Sequence, residues 1–163
     1  IMTEQVKCFY QETQKHQNSV NKRMTNLILR LTERAAKHDN SKFSDVESEL
    51  FIEYTPKLKK STYGSEEYNQ FLKGLKPALE HHYACNSHHP EHFSNGIKDM
   101  SLIDLVEMIC DWYAAPERHE DGNIFRSIEI NQKRFGYSDE LKSILINTII
   151  REFPDKSVEN TRR

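Results

Sequence analysis

An all-α, single-domain helical bundle is the fold this sequence predicts, and three observations predict it. Apolar residues recur every three or four positions along most of the chain. Alternation of the strand type never lasts beyond a few residues. With 5 Gly and 5 Pro in 163 residues, breaks are few and readable. The length suits one domain with a core of its own. That domain is expected over residues 1–153, with 154–163 a flexible tail.

The elements follow in order. Val6, Phe9/Tyr10, Thr13, His16/Gln17, Val20, Met24, Leu27/Ile28, Leu31 and Ala35 step by three or four, which reads as one continuous helix. Thr25 and Thr32 are possible caps for a second helix there, but no Gly or Pro intervenes. A second element runs through FSDVESELFIEY and is expected to stop before Pro56, with residues 57–65 a loop. Ser65 can cap the helix EEYNQFLKGLKPALEHHYA, which Gly74 and Pro77 are placed to kink. NSHHPEHFSNGIKDM reads as irregular. Ser101, with Asp104 three residues on, resembles a capping box for SLIDLVEMICDWYAA. Asp121-Gly122 marks a turn, Gly136 ends NIFRSIEINQKRF, and Ser138 caps DELKSILINTIIREF. Six or seven helices result.

The bulk properties narrow the function. Lys and Arg number 23 against 25 Asp and Glu, a formal charge of −2. That balance gives no strong signal for nucleic acid or an anionic membrane. Mean hydropathy is −0.80, yet the apolar periodicity argues for a polar-surfaced globular protein. Cys8, Cys85 and Cys110 are odd in number and widely spaced, which disfavours a disulfide framework and favours a reducing compartment. No apolar run approaches the roughly 20 residues that span a bilayer. The opening IMTEQVKCFY lacks an apolar signal core. A cytoplasmic protein without a membrane partner is expected.

Three stretches carry candidate chemistry. In HDNSK, His38-Asp39 offers a metal one imidazole nitrogen and one carboxylate oxygen from consecutive residues. Helical neighbours point about 100° apart, so both can grip one ion only where the helix ends, and Asn40-Ser41 supplies such an ending. In EMICDW, Asp104, Glu107 and Asp111 form one helical stripe. A solvated acidic edge suits Asp104; Asp111, between Cys110 and Trp112 in an apolar segment, needs a cation, a metal or several donors. In HHYACNSHHPEH lie five of the eight histidines. His82 shares a face with Tyr68, Phe71/Leu72, Leu75 and Leu79 and looks inward, with His81 at its border. His88 and His89 lie beyond the helix, where a bend can turn them back, and imidazole is the commonest metal-binding side chain. A structural zinc site from Cys85, His88 and His92 ranks lower, because it leaves His38, Asp39 and Asp111 unused. His16 stands 22 residues before His38, about 33 Å along a continuous helix, so spacing alone argues against a shared site.

Taken in order, His16, His38-Asp39 and Asp111 resemble the H…HD…D arrangement of the HD-domain superfamily of metal-dependent phosphohydrolases. HDNSKF is similar to its HD-x-x-K form, and His81, His82, His88 and His89 are similar to the extra ligands of two-metal branches. KHQNSV, HDNSKF, the HH…N-x-HHPE run and EMICDWYAA together look like an uncharacterised family of phage and bacterial proteins with an HD-like core, over roughly residues 12 to 135. The signature that the HD-GYP branch of that superfamily carries after its paired histidines is absent; the chain reads HHPEHFSNG.

The resemblance implies an HD-like helical fold with a metal site between helices, and a chain that turns between His16 and His38. It implies a phosphoester hydrolase acting on a small phosphorylated molecule, a nucleotide or nucleotide-derived signal. His16, His38, Asp39, His82, His88 and Asp111 would hold one or two divalent ions. Mixed His and carboxylate ligation suits Mn, Fe, Co, Ni or Zn. Asp39 and Lys42 would be the catalytic pair, Lys42 neutralising substrate phosphate. His81, His89, Arg126 and Arg134 would meet a second ion or the substrate. Two alternatives use the same ligands: a di-iron oxygenase, and a non-catalytic, metal-stabilised protein that sequesters a signalling nucleotide or a partner, as a phage product acting in its host's cytoplasm would.

Overall fold

The computed structural model describes residues 3–61, 65–115 and 123–153. Six α-helices and three short 3-10 turns account for nearly all of them, with no strand among the described residues. The fold is all-α, as the periodicity predicts. No described helix is long and apolar enough to cross a membrane. The expected turn at Asp121-Gly122 and the tail 154–163 lie outside the described residues. By its contacts the chain divides into two compact units, residues 1–38 and 39–163.

The first unit is one helix, α1 (Glu4–Lys37), of 34 residues. Thr3 caps it, its hydroxyl accepting from the backbone N–H of Val6. The helix passes unbroken through Thr25 and Thr32. Neither caps a new helix; the Thr32 hydroxyl instead donates back to the Ile28 carbonyl at 2.9 Å. Periodicity therefore decides this segment, and the turn between His16 and His38 that the resemblance implies is not there.

The second unit opens at Asp39, whose φ of 56° places it in the left-handed region. Among the described residues no other non-glycine residue has a positive φ. Aspartate tolerates this conformation better than most residues. The backbone reverses there into a 3-10 turn, Asn40–Phe43. Helix α2 (Asp45–Lys60) follows and carries Pro56 inside it, so the expected stop before Pro56 does not occur. An interior proline removes one N–H and costs about 3 kcal/mol. Helix α2 packs along α3 (Glu66–Cys85), and the contact continues past that point, with Lys57 Nζ 5.9 Å from the centre of the Phe71 ring. Ser65 caps α3 as expected, accepting from the Tyr68 N–H at 3.1 Å. Gly74 and Pro77 do not end α3. Gly74 is explained by its neighbour: a Cβ there would meet the Tyr54 ring of α2, with Cε1 and the hydroxyl both 2.6 Å away.

After α3 the chain takes two 3-10 turns, Pro90–His92 and Gly96–Asp99. Helix α4 (Leu102–Ala114) then starts on the expected Ser101/Asp104 capping box. Helix α5 (Ile124–Phe135) is capped by Asn123 and ended by Gly136 at φ 65°; α6 (Asp139–Glu152) is capped by Ser138. The main apolar core joins these three helices through Met108, Ile109, Ile124, Ile128, Tyr137, Leu145 and Ile149. The Tyr137 hydroxyl donates to the Ile128 carbonyl at 2.5 Å, and Trp112 stacks on Phe135. With Met108 and Ile109 turned into that core, α4 presents Asp104, Glu107 and Asp111 along a neighbouring stripe.

Candidate metal centre

Four residues from three parts of the second unit converge. Asp39, His82, His88 and His89 each offer one ligand atom, and these four atoms all lie within 4.8 Å of one another. The Asp39 Oδ1 oxygen stands 3.3 Å from Nε2 of His82 and 3.4 Å from Nε2 of His88. His82 Nε2 is in turn 3.0 Å from His89 Nε2. Ligands about 2.0–2.1 Å from a tetrahedral ion stand about 3.4 Å apart, so the spacing suits a metal without large movement. These residues could hold a metal ion.

The histidines are aimed from behind. His82 is buried on α3, and its Nδ1 meets Oε2 of Glu47 at 2.9 Å. Glu47 is itself fully buried on α2. A carboxylate accepts, so Nδ1 of His82 keeps its proton on Glu47, and Nε2, which faces Asp39, is the nitrogen left for a cation. The Asn86 amide, 3.2 Å from the same Nδ1, donates to the Ser41 hydroxyl and the His82 carbonyl instead, both at 2.7 Å. His88, also buried, repeats the arrangement: its Nδ1 lies 3.1 Å from Oε1 of Glu107 on α4. Two imidazoles thus present Nε2 to one point, each backed by its own carboxylate.

Charge is tuned to match. Burial pushes the Asp39 carboxyl up, but hydrogen bonds from His82, His88 and Lys42 outweigh it and hold the group ionised, far below the usual carboxylate range. Burial likewise raises Glu47, and hydrogen bonds from His81, Ser41 and His82 overcome it, leaving it below its ordinary value. His82 is lowered by burial and raised more strongly by Asp39 and Glu47, so it ends above the ordinary value. Burial and the neighbouring His88 and His82 push His89 down to about 3, which keeps it neutral.

The remaining expected site residues fall as follows. Lys42 places Nζ 2.6 Å from Oδ2 of Asp39 and 5.8 Å from the centre of the Phe51 ring. The Asp111 carboxylate comes within 4.8 Å of that of Asp39. His81 turns away to Oε1 of Glu47 at 2.7 Å. His92 bonds the Tyr83 carbonyl at 2.8 Å. Arg126 is exposed on the first turn of α5. Arg134 grips Glu91, next to Pro90, at 2.6 Å. His38 ends the first unit and is peptide-bonded to Asp39. His16 must be corrected: it sits on α1 22 residues before His38, about 33 Å along one helix, and cannot share an ion with it.

Sequence reasoning missed two residues and misjudged a third. Glu47 shares a helical face with Leu50, Phe51 and Tyr54, and that face was its available signal. Glu107 lay on the acidic stripe already noted. Asp104 is buried rather than solvated; it accepts from the Ser87 hydroxyl at 2.7 Å and from the Ser101 N–H and hydroxyl at 2.8 and 2.6 Å. It ties the loop bearing His88 and His89 to the start of α4.

No curated protein and no solved structure matches the chain. One family, described as of unknown function (DUF5662), matches residues 5–152. A match over that much of the 163 residues makes the chain a member of the DUF5662 family.

Proposed function

We propose that the protein is a metal-dependent hydrolase of a small phosphoester, with a nucleotide or nucleotide-derived signal as the substrate class. The observation that carries this reading is the pair of carboxylate-backed histidines whose Nε2 atoms meet Asp39 Oδ1. An arrangement of this kind is how proteins orient imidazoles toward a cation. Asp39, His82, His88 and His89 would hold the ion, and Asp111 is close enough to Asp39 to extend the site toward a second one. His38 enters as a further ligand on the sequence resemblance, which also supplies the reaction class.

A bound divalent ion of the Mn, Fe, Co, Ni or Zn type would lower the pKa of a water and polarise a phosphoryl oxygen. The chain's own residues supply the rest. Asp39 is held ionised at the centre of the ligands and can orient a water by accepting its hydrogen bond. Lys42, now on the second oxygen of Asp39, would supply positive charge for a substrate phosphate. Glu47 and Glu107 keep His82 and His88 in one tautomer. Arg134, engaged by Glu91, steadies the turn that follows His89.

Elemental analysis of the purified protein, followed by a panel of mononucleotides, dinucleotides and generic phosphoesters with each metal, tests the proposal. Stoichiometric metal and turnover that Asp39→Asn abolishes are expected. Metal without turnover of any phosphoester sinks the hydrolase reading; oxygen uptake by the iron-loaded protein would then favour an oxygenase. Protein without metal, whose Tm added metal does not raise, sinks the metal centre itself.

A further inference from the structure

The first unit poses its own question. Helix α1 has 34 residues, about 51 Å of helix, and not one of them is buried. Isolated helices draw little stability from propensity, and an amphipathic face is normally packed. Here Met24, Leu27 and Ile28 are each more than half exposed. We infer that α1 is a dimerisation helix, pairing with α1 of a second copy in an antiparallel two-stranded coiled coil.

The spacing identifies the occupant as a helix. Tyr10, Thr13, Gln17, Val20, Met24 and Leu27 stand apart by three, four, three, four and three residues. That is the 3.5-residue repeat of a coiled-coil seam, sustained over more than two heptads. Polar Thr13 and Gln17 in an otherwise apolar seam are the kind of residue that fixes register.

Length then points to a second copy. Steps of four carry the same seam on to Val6 and Leu31, so a partner must match about 38 Å, and the next longest described helix, α3, has 20 residues. Pairing over that length and one helix diameter removes on the order of 1,000 Å² from water, which is what a specific interface needs.

Charge gives the orientation. Between residues 3 and 19 the helix carries Glu4, Lys7, Glu12 and Lys15, which balance. Between 20 and 37 it carries Lys22, Arg23, Arg30, Arg34 and Lys37 against Glu33. A parallel pair would set two basic halves side by side. An antiparallel pair sets each basic half against a balanced one and brings Arg30 beside the aromatic residues Phe9 and Tyr10 of the other copy.

Sedimentation equilibrium of the full chain across a micromolar concentration series tests the pairing. The wild type is expected to be a dimer, and Met24→Glu combined with Leu27→Glu a monomer with unchanged metal content. Leu29→Glu adds charge on the opposite face of the same helix and should stay dimeric. A monomeric wild type overturns the proposal, as does a dimer that survives the seam substitutions or is lost equally in Leu29→Glu. In dimers mixed from isotopically heavy and light chains, an amine cross-linker should join Lys7 of one copy to Lys37 of the other. Lys37–Lys37 links between copies would overturn the antiparallel arrangement.

Discussion

Oε2 of the buried Glu47 lies 2.9 Å from Nδ1 of His82, and that contact decides which nitrogen of the imidazole faces Asp39. Oε1 of the same carboxylate holds His81 at 2.7 Å, so one side chain on α2 fixes two neighbours on α3. Glu47→Gln keeps the volume but removes the charge that holds the tautomer. Metal affinity should fall about 10- to 100-fold, the usual effect of losing such a support, which isothermal titration calorimetry would read. Glu47→Ala leaves the buried His82 N–H without its carboxylate and releases the part-exposed His81, and should destabilise the protein by about 3 kcal/mol.

Asp39 combines a left-handed backbone with a ligand position, and two substitutions separate these. Asn tolerates positive φ nearly as well as Asp. Asp39→Asn should therefore fold with an unchanged far-UV spectrum while losing metal and any hydrolysis. Asp39→Ala should lose the same functions and cost about 1–2 kcal/mol beyond Asn, because the left-handed region penalises a Cβ without a compensating side chain. Chemical denaturation of the two metal-free variants side by side measures that difference.

The two histidines whose titration moves in opposite directions set the pH dependence of the metal-free protein. His82 has a folded pKa above its ordinary 6.5, so its contribution is full below pH 6.5 and is lost as pH rises through the folded value. His89 has a folded pKa of about 3, so the unfolded chain takes up its proton first and stability falls as pH drops from 6.5 toward 3. The depressed Asp39 and Glu47 add to the loss as pH falls below their ordinary values of 3.8 and 4.5. The Tm of the metal-free protein should peak near pH 6.5 and decline on both sides. A bound cation displaces the proton of His82, so metal affinity should climb with pH above that point.

Asp104 is a fastener rather than a ligand. Asp104→Ala removes the capping box and the Ser87 tether together and should cost about 2 kcal/mol. Metal affinity should weaken as well, since the released loop carries His88 and His89. Asp104→Asn, which keeps an acceptor for Ser87, should recover part of both losses in thermal melts and metal titrations.

What could be read from the sequence was mostly local. Caps at Ser65, Ser101, Ser138 and Gly136 involve partners three or four residues away, and each of these helix ends follows from that chemistry. His82 could be placed inward because its helix has a continuous apolar face. Pro56 misleads because only the packing of α2 on α3 shows why the helix survives it. Glu47 is 35 residues from His82 and reads as one more acid among Asp45, Glu47 and Glu49. Asp104 carries two hydrogen-bonding serines, of which Ser101 was legible and Ser87, across the histidine loop, was not. The straight run of α1 was written in its own spacing, against the turn that the resemblance suggested.

The centre draws Asp39 and Glu47 to a pair of histidines about forty positions later, and those to Glu107 nearly twenty beyond. The cluster is complete only when Asp39, the stretch from His82 to His89 and the backing Glu47 and Glu107 have docked. Such long-range closures come late in folding, after local helices have formed. A cation with affinity for the finished cluster and little for the separate pieces would act as an inspector of completed chains. Its occupancy would count the molecules that have folded correctly, and its release would mark those that have begun to come apart.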